Sequence, residues 1–101
     1  MAAQLSFADF VRSTQLDAAP PPGLSRALLA MWHDARGDAD TAHALAQEAG
    51  GPDGAWVHAY LHRKEGDDGN ATYWYEIADR PAGFGAAPAE WEKIVHALLG
   101  D

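Results

Sequence analysis

Apolar residues recur three and four apart along most of this chain, and short polar or Gly/Pro-rich stretches interrupt them, a pattern that predicts about six helices. Ser6 followed by Asp9 marks the first start, with Phe7, Phe10 and Val11 on one side and an end near Gln15. Ala18-Ala19-Pro20-Pro21-Pro22-Gly23 then predicts a stiff, extended connector, because successive prolines exclude the helix. A second helix is expected from about Leu24 to Arg36, burying Leu24, Leu28, Met31 or Trp32, and Ala35. Gly37 suits the left-handed position after a helix, and Asp38 the cap of the next, Ala39 to Ala49. Gly50-Gly51-Pro52 reads as its stop, with Asp53 capping a fourth helix over about Gly54 to Glu65. Gly66-Asp67 repeats the punctuation and opens a fifth helix, about Gly69 to Arg80, carrying Ala71, Trp74, Tyr75 and Ala78. After a Gly/Ala loop in which Phe84 is expected to tuck back, Pro88 starts a last helix whose Trp91, Ile94, Val95, Leu98 and Leu99 make a broad apolar face.

The middle of the chain repeats itself. Laying Ala30 to Pro52 over Ala59 to Pro81 pairs seven identities in 23 positions: Ala30/Ala59, His33/His62, Gly37/Gly66, Asp38/Asp67, Ala42/Ala71, Ala49/Ala78 and Pro52/Pro81. About two would arise by chance in so alanine-rich a chain. The expected organisation is one domain: an N-terminal helix and connector over 1–23, a hairpin over 24–52, a second over 53–81, and a loop with a capping helix over 82–101.

Composition narrows the classes. Abundant Ala and scarce Val and Ile favour helices over strands. No cysteine is present, which removes disulfides, thiol nucleophiles and Cys-ligated zinc. A net charge of −8 argues against nucleic acid and anionic membranes as partners. The start, MAAQLSFADF, lacks the features of a secretory signal, and no run of eighteen apolar residues is present, so a soluble cytoplasmic protein is expected.

Ala55 to Pro81 (AWVHAYLHRKEGDDGNATYWYEIADRP) resembles a tetratricopeptide repeat. Gly66, Asp67, Ala71, Tyr75, Ala78 and Pro81 fill that family's turn, small-residue, aromatic and closing-proline roles; Gly37, Asp38, Ala42, Ala49 and Pro52 echo them. The period is 29 rather than 34, and Ala46 replaces the aromatic in the first copy. The string is also similar to small uncharacterised bacterial proteins of this length. The resemblance implies an all-α, right-handed array of helical hairpins with a C-terminal capping helix. It also implies a concave binding face formed by the first helices, which carries Trp56, Tyr60, Arg63 and Lys64, with Met31 and Asp34 from the preceding copy.

Candidate chemistry concentrates between Trp56 and Tyr75, which hold five of the ten aromatics. An aromatic wall beside Arg63 and Lys64 suits a peptide carboxylate with a hydrophobic anchor on Trp56; the plain alternative is helix packing with a solvated basic end. His58 and His62, four apart, with Glu65 three further on, share one helix face as a divalent metal site requires. Ser6, Ser13 and Ser25 sit in no strained turn, and no glycine run makes a phosphate loop, so neither enzymatic activity nor a cofactor is expected. The leading expectation is a non-catalytic interaction module binding a peptide or partner helix. A metal- or small-ligand-binding helical protein is the alternative, and self-association as a homodimer is a third.

Overall fold

The computed structural model describes residues 5–100, and all of its regular structure is helical. Its six helices are α1 (Phe7–Leu16), α2 (Arg26–Ala35), α3 (Ala39–Ala49), α4 (Gly51–Lys64), α5 (Asp68–Ala78) and α6 (Ala87–Leu99). The reading of Met1–Gln4 as part of a leaderless start lies outside the described residues. No helix among them is long and apolar enough to cross a membrane.

Local chemistry sets the boundaries. Ser6, Ser25, Asp38 and Asp67 each cap a helix, accepting from the backbone N–H three residues on. The α2–α3 and α4–α5 turns are built bond for bond alike. Gly37 N–H donates to Asp34 C=O (3.0 Å) and Asp38 N–H to His33 C=O (3.0 Å); Gly66 N–H donates to Arg63 C=O (3.0 Å) and Asp67 N–H to His62 C=O (2.9 Å). Gly37 and Gly66 take φ of 82° and 84°, the left-handed conformation that this closing motif demands and a β-carbon opposes.

One expected boundary is wrong. Gly51-Pro52 opens α4 instead of closing α3, because Pro52 sits in the first turn, where its missing N–H costs nothing. α4 is therefore three residues longer at its start than the expected Gly54.

α2 packs on α3, α4 on α5, and α3 on α4, while α6 lies against both α2 and α4, and α1 against α2 and α6. Small residues bring these helices close: a β-carbon at Gly54 would stand 2.7 Å from the Ala46 carbonyl oxygen. Phe10, Met31, Val57, Ile94 and Val95 form the centre of the core, flanked by Ala30, Ala42 and Ala59, all fully buried. Ala35, expected in the core, is exposed, and Asp34 is buried in its place. Phe84 does not tuck back; it is 90% exposed.

Candidate functional site

Most residues of the expected binding face are buried. Trp56, Tyr60, Met31 and Asp34 are 3%, 2%, 0% and 5% exposed, because α6 covers the face formed by α2 and α4. Trp91 of α6 donates its indole N–H to the Met31 carbonyl (3.1 Å). Asp34 accepts from the Tyr60 hydroxyl and the Lys64 ammonium, each at 2.8 Å. Burial, then the charge and hydrogen bond of Asp34, push the Tyr60 hydroxyl far above its ordinary pKa, so it stays a donor. Arg63 donates to Glu90 of α6 (2.9 Å) and to the Gly85 carbonyl. All six residues come together, but they bind one another and α6.

Trp56 also reaches a second place. With Arg80, Phe84, Ala89 and Lys93 it lines an open cleft of about 380 Å³ between the end of α5, the 80–86 segment and α6. The Arg80 guanidinium stacks on the Trp56 ring at 4.0 Å. Among the seven Lys and Arg side chains, Arg12, Arg26, Arg63 and Lys64 pair with carboxylates, and Arg36 donates to the Thr14 and Asp17 carbonyls. Arg80 and Lys93 alone have no hydrogen-bond acceptor among the described residues, and both face this cleft.

The histidine pair acquires a third member. His43 of α3 joins His58 and His62 of α4, and one ring nitrogen from each lies within 4.8 Å of the others. The His58 ring is sandwiched between His62 (centroids 4.8 Å apart, 19° between planes) and Trp74 (4.2 Å, 22°). Glu65 does not line up as a fourth ligand; its Oε2 accepts from His43 Nε2 at 2.7 Å, and its Oε1 is 3.7 Å from His62 Nδ1. Burial, then repulsion from His62 and His43, lowers the His58 pKa to about 4, leaving that imidazole neutral near pH 7.

His43 lay outside the sequence reading although a signal existed. It stands seven residues before Gly50 and His58 seven after Gly51, so a hairpin folded at that junction brings the two side by side. Arg80 and Lys93 gave no such signal, since only the path of the 80–86 segment unites them.

Searched against family models, curated proteins and solved structures, the chain matches none.

Proposed function

We propose that this chain is a non-catalytic interaction module that holds a peptide segment through a carboxylate and an adjacent apolar side chain. One observation carries the reading: in a chain of net charge −8, the two cations with no hydrogen-bond acceptor among the described residues converge on one cleft floored by an indole. Arg80, held over the Trp56 ring, is placed to present its N–H fork to a carboxylate. Lys93 adds a point charge from α6, and Phe84 stands at the rim as a hydrophobic contact. A volume of about 380 Å³ suits one or two residues of a peptide, at the small end of ligand sites. The repeated hairpin turns support an array scaffold of the tetratricopeptide kind, with the binding place moved from the covered inner face to the edge of α6.

The reading is tested with fluorescein-labelled peptides ending in Phe or Leu, each with a free or an amidated C-terminus, and by pull-down of acidic peptides from a display library. Free-carboxylate peptides are expected to bind, and Arg80→Glu/Lys93→Glu to weaken them by about 10- to 100-fold, the worth of a charge-assisted hydrogen bond. Both substituted residues lack internal acceptors, so the helical circular dichroism should persist. Equal binding of free and amidated peptides, or equal binding by the variant, would overturn it.

A further inference from the structure

The geometry points to a zinc-class metal site formed by His43, His58 and His62, at the junction of α3 and α4 and separate from the peptide cleft. Three imidazoles from two helices meet with their nearest ring nitrogens no more than 4.8 Å apart. Tetrahedral zinc with three histidine ligands at 2.0–2.1 Å spaces its nitrogens by roughly 3.3 Å, so the widest pair must close by about 1.5 Å. On this proposal, side-chain rotation of the three rings closes that gap.

Packing alone explains the cluster poorly. The three imidazoles bring six ring nitrogens, and a single hydrogen bond, from His43 to Glu65, serves them among the described residues. His62 Nδ1 is buried and has no hydrogen-bond partner among the described residues. An orphaned polar atom of this sort is costly, and a Leu or Phe filling the same space would not carry that cost.

Ligation accounts for the same details. With the enclosed Nδ1 of His62 carrying the proton, Nε2 is left as the ligating nitrogen. The Nδ1–H then lies beside Asp67 Oδ2 (3.6 Å) and Glu65 Oε1 (3.7 Å). Metal-bound histidines ordinarily give their other N–H to a carboxylate, which fixes the ring and offsets the cation's charge. Glu65 stands in that relation to His43, at 2.7 Å. Trp74, stacked on His58, fixes the third ring from α5. Three protein ligands leave the fourth position of a four-coordinate ion to solvent or to a small anion. Borderline nitrogen donors favour zinc and its first-row neighbours over calcium or magnesium, which prefer oxygen.

Isothermal titration of tag-free, chelator-treated protein with Zn²⁺, and with Co²⁺ read by visible absorption, tests the site. Saturable uptake of one ion per chain by a monomer is expected. His43→Ala, which removes a partly exposed side chain, should abolish it; Glu65→Gln should weaken it 10- to 100-fold; His33→Ala, outside the cluster, should leave it unchanged. Absence of saturable binding by wild-type protein would overturn the site, and that measurement needs no variant to fold. Equal affinity in His43→Ala, or one ion shared by two chains, would overturn it as well.

Discussion

At the scale of single residues, polar groups inside the molecule determine what is strained and what is quiet. Asp34 is buried yet satisfied twice over, by the Tyr60 hydroxyl and the Lys64 ammonium, so an acid in the core has both its oxygens paired. His58 is the opposite case, a base that burial and two neighbouring imidazoles hold neutral. The groups facing it are His43 from α3, His62 and, further off, Glu65 from the end of α4, and the uncharged Trp74 from α5. Its pKa of about 4 lies below the ordinary 6.5, so between those values the unfolded chain binds more protons than the folded one. Stability from this residue is complete above pH 6.5 and lost as the pH falls toward 4. Discounted for partial exposure, the loss should be on the order of 1 kcal/mol. Melting temperatures of metal-free protein between pH 7 and 4.5 should therefore fall more steeply for wild type than for His58→Gln. Parallel curves would show that His58 does not contribute.

At the scale of helices, most of the architecture is written locally. Ser6, Asp38, Asp67, Gly37 and Gly66 act through partners within five residues, which is why three of the six starts and the two tight turns could be read from these residues of the sequence. The misplaced start of α4 has a local cause: Pro52 serves as a first-turn proline, the role Pro88 fills in α6, but follows two glycines that resemble a stop. Local pattern does not give the placement of distant segments. Trp91 meets the Met31 carbonyl across 60 residues, and no periodicity predicts that α6 lies over α2 and α4 and buries the expected binding face. Periodicity shows that a helix has an apolar side; it does not say which neighbour covers it. The two turns make a symmetrical prediction. Thr41 and Asn70 hydrogen bonds, side chain first and backbone second, hold the Asp38 and Asp67 carboxyls below their ordinary range. Asp38→Ala and Asp67→Ala should each lower the urea midpoint, as the loss of a cap does, and the double variant should lower it by about the sum. An unchanged midpoint in either would show that its helix is held by packing alone.

At the scale of the whole molecule, a radius of gyration of 12.7 Å is close to the ~13 Å of a compact chain this long, and α6 is the element that closes it. Glu90 fastens that closure. Its buried carboxylate accepts from Arg63 of α4 (2.9 Å) and from the Tyr75 hydroxyl of α5 (2.5 Å), tying α6 to the second hairpin at two points. No local pattern in the sequence points to that role for Glu90. Glu90→Ala leaves a largely buried guanidinium unpaired and should cost about 3–5 kcal/mol, whereas Arg63→Met/Glu90→Leu, removing both charges, should recover much of it in the same unfolding assay. An equal loss in both variants would locate the stability in the packing of α6. The four indoles described above also divide the molecule among themselves. Trp32 bonds to Ser13 of α1, Trp56 lies under Arg80, Trp74 covers His58, and Trp91 holds α6 to Met31. Four proteins retaining one tryptophan apiece would thus carry built-in fluorescent probes of the first helix, the cleft, the histidine cluster and the closing helix. The order in which each part loosens or takes up a ligand becomes readable as light, without a dye.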